Sequence, residues 1–87
     1  MEIRYSPRFA RRYKKLLASV QSAAERRELI FRKDWKNPLL TAHKLGGKLD
    51  GLWAFSVNNR YRIIFEFVAT HTVIFHTIGD HGIYENS

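Results

Sequence analysis

The side chains of this sequence that are suited to chemistry are mainly histidines and cations. The 87 residues contain four histidines, His43, His71, His76 and His81, and no cysteine. An imidazole with an unperturbed pKa of about 6.5 suits proton transfer near neutral pH. Histidine also binds metals, but no two of these residues have the close helical spacing of a familiar metal motif. The lack of cysteine excludes disulfides, thiolate zinc sites and a cysteine nucleophile.

Positive charge is concentrated in the first half of the sequence. The formal net charge is +7 and the calculated pI is about 10.2. Residues 1–44 hold 12 of the 15 Lys and Arg residues but only 4 of the 8 Asp and Glu residues, so they carry +8 and the remainder carries −1. This asymmetry favours a polyanionic partner, which is nucleic acid, the ribosome or an acidic protein. Any single cation is better explained as an ordinary solvated side chain, and only the asymmetry as a whole favours such a partner.

Length and composition predict one small folded domain over residues 1–87. Hydrophobic residues make up 45% of the chain and aromatic residues 14%, which is enough apolar surface to offset the entropy of ordering. No stretch approaches the roughly 20 apolar residues of a membrane helix, and the N-terminus lacks the apolar core of a signal peptide. We therefore expect a soluble cytoplasmic protein that does not contact membranes.

The first part of the chain predicts a short strand and two helices. Residues 2–5 alternate as a strand does, and Ser6-Pro7 has the pattern of a helix N-cap followed by proline at the first position. Ser22 and Glu25 form a capping box that predicts the start of a second helix, and Pro38 predicts its end. The first helix is predicted to continue through an apolar stripe made of Phe9, Tyr13, Leu16, Leu17 and Val20.

From residue 52 onward the sequence alternates in the two-residue period of strands. Asn58-Asn59 predicts a turn between two strands, and residues 70–78 predict a further strand. The predicted core face holds Trp53, Phe55, Val57, Tyr61, Ile63, Phe65 and Phe67. The opposite face holds Ala54, Ser56, Arg62, Ile64 and Glu66. These elements predict an α+β fold whose open sheet face carries polar and cationic side chains, and such a face is a rigid place for a site.

The order and spacing of four short segments resemble the RelE/ParE superfamily of bacterial type II toxins, especially its YafQ-like and RelE-like branches. The segments SPRFARRYKKL, HKLGGKLDGLW, YRIIFEF and IGDHGIY span nearly the whole chain. The resemblance implies a small twisted antiparallel sheet with an N-terminal αα-hairpin packed on one face. It implies a toxin that cuts mRNA in the ribosomal A site without a metal or other cofactor, and an acidic antitoxin that neutralises it.

The resemblance also implies a set of catalytic residues. His81 stands where YafQ-like toxins have a histidine and RelE-like toxins an arginine, and Tyr84 resembles the C-terminal aromatic that stacks on or orients the nucleotide. His43 opens the HKLGGKL segment as an active-site histidine does in YafQ-like toxins. Arg60 lies near the position of a YafQ-like acidic residue, and Arg62 matches the Tyr-Arg pair of the superfamily. One of these arginines is expected to neutralise phosphate, although Arg62 could instead pair with Glu66 across the open face. His81 could also be a loop histidine bonded to Asp80 or to backbone, His43 a loop histidine without a task, and Tyr84 a core-packing tyrosine.

Further residues beside the expected catalytic residues are predicted to contact RNA. Lys44 and Lys48 lie beside His43 and can bind phosphates. Arg62 is likewise expected to bind RNA. The basic side of the first helix is expected to dock on ribosomal RNA through Arg11, Arg12, Lys14 and Lys15.

Two departures from the family pattern leave the activity open. Ser56 stands where YafQ-like toxins place another histidine, and Val57 or its neighbours replace a strand arginine of RelE-like toxins. His71 and His76 are interpreted as structural. The three possibilities are a variant nuclease, a ParE-like inhibitor of DNA gyrase and a non-catalytic domain that binds an antitoxin. His43 and His81 favour the nuclease, because gyrase inhibition requires no poised histidine.

Overall fold

The computed structural model describes residues 1–84. The helices are α1 (Pro7–Lys14) and α2 (Ala18–Lys33). The strands are β1 (Glu2–Tyr5), β2 (His43–Lys44), β3 (Trp53–Ser56), β4 (Arg62–Ala69) and β5 (Thr72–Gly79). Short 3₁₀ turns cover Pro38–Leu40, Gly47–Leu49 and His81–Tyr84, and the last of these is called the C-terminal turn below.

The strands form one five-stranded sheet in the order β1-β5-β4-β3-β2. The strands from β2 to β5 pair antiparallel. This pairing was expected for β3, β4 and β5, whereas β2 was not predicted to be a strand. The first strand pairs parallel with the last, with Ile3 opposite Val73. The predicted α+β class is confirmed, and the sheet is mixed rather than wholly antiparallel because the helical hairpin carries the chain from one end of the sheet to the other between β1 and the later strands.

The predicted start of α1 is confirmed and its predicted length is wrong. The Ser6 hydroxyl accepts a hydrogen bond from the Phe9 N–H at 3.0 Å and donates to the His76 carbonyl at 2.7 Å, which fixes the helix against β5. The helix ends at Lys14 rather than near Val20. Its last turn tightens, since the Lys15 N–H donates to the carbonyl three residues before it.

The second helix begins earlier than its capping box predicts. Leu17 is the N-cap of α2, and its carbonyl already accepts from the Val20 and Gln21 N–H groups, so Ser22 lies inside the helix. The helix ends at Lys33 because Asp34 is extended, with φ −160°, and not at Pro38. Within residues 1–84, neither helix has the length and apolarity needed to cross a membrane.

The core lies between the helices and one face of the sheet, as the alternation predicts. Phe31 of α2 is fully buried, and its ring lies 5.0 Å from the rings of Phe55 and Phe65 and 5.5 Å from that of Phe75. A second aromatic group, in which Trp53 and Phe67 contact the Trp35 ring, packs against this cluster. The core thus lies on one side of the sheet. On the other side Ala54, Ile64 and Thr77 are also buried, whereas the polar residues Ser56, Arg62 and Glu66 are partly exposed.

Tyr13 links the two helices. Its hydroxyl donates to a Glu25 carboxylate oxygen at 2.9 Å, and burial together with this hydrogen bond raises the pKa of the Tyr13 phenol to about 12.

This raised pKa predicts a pH dependence of stability. A phenol that holds its proton more tightly in the folded state stabilises that state below pH 10.0, and the stabilisation is lost as the pH rises through about 12. The free energy of unfolding of the parent chain should therefore fall more steeply between these values than that of a Tyr13→Phe variant. Denaturant titrations across this range measure both curves, and parallel curves would contradict the assignment.

Candidate functional site

The face of the sheet that points away from the helices, here called the open face, carries the polar strand side chains. Directly opposed residues of neighbouring strands share a face. One row across this face is His43, Ala54, Ile64 and Thr77, and the next is Ser56, Arg62 and Gly79. The topology therefore brings a predicted histidine and a predicted arginine to the same side of the sheet, on strands about 10 Å apart.

His43 is held in an orientation that suits proton transfer. It lies in the edge strand β2, is exposed, and its Nδ1 is 2.9 Å from the Thr41 carbonyl oxygen. A neutral ring that donates its Nδ1 proton to this carbonyl presents Nε2 as the proton acceptor. One ring nitrogen of the exposed His43 side chain is thus held by the backbone, and such an arrangement suits the proton transfer predicted for it.

Thr41 supports this arrangement and was not identified from the sequence. Its φ of 47° is left-handed, which a β-branched residue rarely adopts. Its hydroxyl donates to the Leu40 carbonyl at 2.7 Å and lies 2.7 Å from the Ser56 hydroxyl, which then is the donor between the two. Thr41 therefore joins β3 to the carbonyl that holds His43, and the sequence offered only a connector at this position.

Arg62 presents a positive charge that no carboxylate within residues 1–84 neutralises. Its half-buried guanidinium donates to the carbonyls of Asn58 at 2.6 Å and Tyr61 at 3.0 Å, and it forms no ion pair within residues 1–84. The expected alternative, a pair between Arg62 and Glu66, does not form. Glu66 instead lies 2.9 Å from His76 Nε2. Arg62 is thus fixed by neutral oxygens and keeps its charge for an anion.

His76 is brought to the open face by an irregularity of the sheet. Ile64 is opposite Thr77 whereas Phe65 is opposite Phe75, so His76 is the extra residue of a β-bulge. The bulge places the His76 ring against Glu66, which lies farther along β4 and away from Arg62. This pair is a local contact of the open face, in agreement with the structural role predicted for His76.

Tyr84 belongs to the C-terminal turn and lies near Arg62. Burial raises the pKa of its phenol, and the Arg62 charge lowers it by a smaller amount. Tyr84 is therefore a protonated hydrogen-bond donor at neutral pH rather than a phenolate. The backbone of His81 opens the same turn, but its side chain lies outside the part of the protein that the structure describes.

The other predicted residues of this region are more peripheral. Arg60 is exposed in the turn between β3 and β4, where its backbone N–H donates to Asn58 Oδ1 at 2.9 Å. Lys44 Nζ lies 5.5 Å from the centre of the Trp53 ring, on the face opposite to His43. Lys48 is exposed in its 3₁₀ turn. Arg60 is therefore more exposed than Arg62. The side chains of Lys44 and His43 lie on opposite faces of the sheet.

The four basic residues of the first helix do not form one surface. Arg12 and the adjacent Lys15 line a cavity of about 300 Å³ beside the C-terminal turn. Lys14 lines a separate cavity of about 480 Å³ between the helices. Arg11 is exposed and lines neither cavity.

The cavity between the helices is the larger one and is poorly suited to anions. Its walls are mainly apolar, and two carboxylates stand at its rim. Glu28 accepts a short hydrogen bond from the Tyr5 hydroxyl, and Glu25 accepts from Tyr13. Among the described residues no three His, Asp or Glu side chains gather into a metal site.

The open face thus carries groups that are suited to acid–base chemistry. His43 offers an accessible Nε2, Arg62 a fixed positive charge, and Tyr84 a protonated phenol beside that charge. Such groups can accept a proton, stabilise negative charge and donate a hydrogen bond. Arg62 lies between Ser56 of β3 and Gly79 of β5, which are its direct neighbours in the sheet.

Comparison with known proteins identifies the fold. No family model and no curated protein matches the sequence. Among solved structures, YafQ from Escherichia coli has a TM-score of 0.75 at 16% identity, covering 95% of this chain and 96% of that chain. A YoeB/ParE toxin from Agrobacterium tumefaciens has a TM-score of 0.77 at 12% identity, covering 93% and 99%.

A third structure contains a partner protein. It is the YoeB-YefM complex from Staphylococcus aureus, with a TM-score of 0.74 at 15% identity, covering 93% of this chain and 97% of that chain. The chain therefore has the fold of the RelE/YafQ-like toxins, as its sequence motifs indicate.

Proposed function

We propose that this chain is the toxin of a type II toxin–antitoxin pair and that it cleaves mRNA on the ribosome. The observation that carries the proposal is the oriented imidazole of His43 on the same sheet face as the guanidinium of Arg62, which forms no ion pair within residues 1–84. The toxin fold supports the class of protein. The basic charge of the chain suits both RNA and the ribosome.

Cleavage would proceed by attack of a 2′-hydroxyl on the adjacent phosphate. His43 Nε2 accepts the hydroxyl proton, and the Arg62 guanidinium stabilises the extra negative charge of the pentacoordinate transition state. The 2′-oxygen forms a bond to phosphorus as the bond to the 5′-oxygen breaks. The 5′-oxygen takes a proton, for which His81 is the proposed donor, and Tyr84 stacks on or hydrogen-bonds the nucleotide.

The proposed partners are an acidic antitoxin, mRNA and ribosomal RNA, and the proposed location is the cytoplasm. A structurally similar chain was crystallised in the YoeB-YefM complex, which supports a protein partner for this fold. Residues 1–44 carry +8, so an acidic chain that covers them would gain favourable electrostatic energy. The basic side of α1 is the proposed contact with ribosomal RNA.

Primer extension on a reporter mRNA after brief expression tests this function. We expect cuts at fixed codon positions, which vanish when the start codon is removed because the message then no longer enters the ribosome. A His43→Ala, His81→Ala double variant of equal solubility should leave the message intact and growth unimpaired.

Two other outcomes would contradict the nuclease. Growth arrest with intact message and with DNA breaks would identify gyrase as the target, as in the ParE-like branch. Normal growth with intact message and retained binding to an acidic antitoxin would identify a non-catalytic domain.

A further inference from the structure

Gly79, at the end of β5, leaves a notch in the sheet. It is paired with Arg62 in β4 and does not have a positive φ, so backbone conformation does not demand glycine there. A Cβ at this position would stand 2.2 Å from Ile83 Cγ2, far inside van der Waals contact. Glycine is therefore needed at this point to make room for Ile83.

The C-terminal turn packs into the notch through Ile83. Ile83 is only 4% exposed. The turn is closed by hydrogen bonds from the Ile83 N–H to the Asp80 carbonyl and from the Gly82 N–H to Asp80 Oδ1, both 3.1 Å. Packing of Ile83 against Gly79 thus fixes where the turn lies relative to the sheet and to α1.

The seated turn forms one wall of the 300 Å³ cavity, and α1 forms the other. Arg12 Nη1 lies 3.6 Å from the point where a Gly79 Cβ would stand. Lys15, Tyr61 and Asp80 also line this cavity, here called the Arg12 cleft.

Among the residues that the structure describes, those lining the Arg12 cleft carry net positive charge. Within the same residues neither Arg12 nor Lys15 forms an ion pair, and the one carboxylate in the lining, Asp80, accepts the Gly82 N–H. A half-buried guanidinium beside an ammonium group is suited to phosphate oxygens, which accept two parallel hydrogen bonds from arginine.

We propose that the Arg12 cleft binds a backbone phosphate of the RNA strand that passes over Arg62. This inference rests on the proposed function, because it takes the ligand to be RNA. Gly79, which borders the cleft, is the direct neighbour of Arg62 in the sheet, so the RNA strand would leave the open face at the end of β5 and enter the cleft beside α1. Arg12 and Lys15 would thus contact a nucleotide next to the cleaved bond, whereas Arg11 and Lys14 would supply only general attraction.

Binding of a non-cleavable oligonucleotide tests the cleft. The probe is a single-stranded oligonucleotide with 2′-deoxy sugars, titrated by fluorescence anisotropy at several salt concentrations. The Arg12→Ala, Lys15→Ala pair should weaken binding about 10-fold or more and reduce the salt slope by about 0.7 for each phosphate that the protein no longer neutralises. The Arg11→Ala, Lys14→Ala pair removes the same charge and should weaken binding much less. Equal losses in the two pairs would overturn the proposal.

A charge-neutral change separates the cleft from general attraction. Gly79→Ala should displace Ile83 and the turn, and should weaken binding by a factor comparable with the loss of Arg12. Gly46→Ala is the matched control, because a Cβ there would meet no atom within 4 Å. Unchanged affinity in Gly79→Ala would overturn the proposal.

A second change that removes the clash with Ile83 shows whether a loss of binding in Gly79→Ala comes from misfolding. In Gly79→Ala, Ile83→Ala the clashing Cγ2 is gone. The remaining neighbours of the new Cβ, Arg12 Nη1 at 3.6 Å and the Ile83 Cβ at 3.7 Å, are at ordinary contact distances. Affinity should recover in part, and no recovery in a folded double variant would count against the cleft. The probe has no 2′-hydroxyl, so binding is measured whether or not the chain cuts RNA, and failure of the nuclease leaves this result interpretable.

Discussion

An Arg62→Ala variant is expected to cleave message about 10²–10³-fold more slowly than the parent chain, the loss typical when one preorganised donor to a developing negative charge is removed. The guanidinium is held by the carbonyls of Asn58 and Tyr61 and has no carboxylate partner in the described residues. Its full charge is therefore available to the transition state. Quantitative primer extension over a time course gives the rate.

Three further variants make this result specific. Arg4→Ala removes an arginine that pairs with Glu2 in the edge strand β1, so its rate should match that of the parent. Arg62→Lys keeps a charge without the forked geometry and should recover part of the rate. Arg60→Ala tests the competing candidate in the exposed turn. A larger loss in Arg60→Ala than in Arg62→Ala would reverse the assignment of the two arginines.

A Phe31→Ala variant is expected to lose about 3–5 kcal/mol of stability. Phe31 has 0% exposure and contacts three other phenylalanine rings at 5.0 to 5.5 Å. Truncation would leave a cavity at the point where α2 meets the sheet, and small domains have only about 5–15 kcal/mol of total stability. Urea denaturation followed by tryptophan fluorescence measures the change.

Leu29→Ala is the control on the same helix. Leu29 is 63% exposed, so its truncation should change the free energy of unfolding by about 0.5 kcal/mol or less. A loss in Phe31→Ala no larger than in this control would show that α2 is not packed as described.

Local sequence patterns were sufficient to predict those features that depend only on neighbouring residues. Ser6-Pro7 marked the start of α1 because capping depends on neighbouring residues. The two-residue alternation from Trp53 identified the core face because strand geometry alone sets it. The end of α1 was missed, since the apolar stripe continues through Leu16 and Val20 although the chain turns between them.

Features set by tertiary contacts could not be predicted. The left-handed backbone of Thr41 has no sequence signal, because a threonine does not favour that conformation and is held there by its surroundings. The β-bulge at His76 and the parallel pairing of β1 depend on residues distant in sequence. Gly79 was identified as a strand end, whereas its structural reason is the space it leaves for Ile83.

The candidate site was found in part for the same reason. His43 and Arg62 were selected by resemblance, and the sheet register placed them on one face. Burial distinguishes Arg62 from Arg60, and neither spacing nor composition contains that information. The residue that holds His43, Thr41, acts through its carbonyl, which any residue type provides.

The parallel pairing of β1 with β5 affects the order in which a newly made chain can fold. The first strand emerges from the ribosome before its partner residues, from Thr72 to Phe75, are synthesised. The β1 edge, the N-cap contact of Ser6 with His76 and the packing of Ile83 at Gly79 must all wait for β5. A chain synthesised only as far as β4 therefore cannot complete its sheet, and the groups that depend on β5 come together only after that strand has emerged.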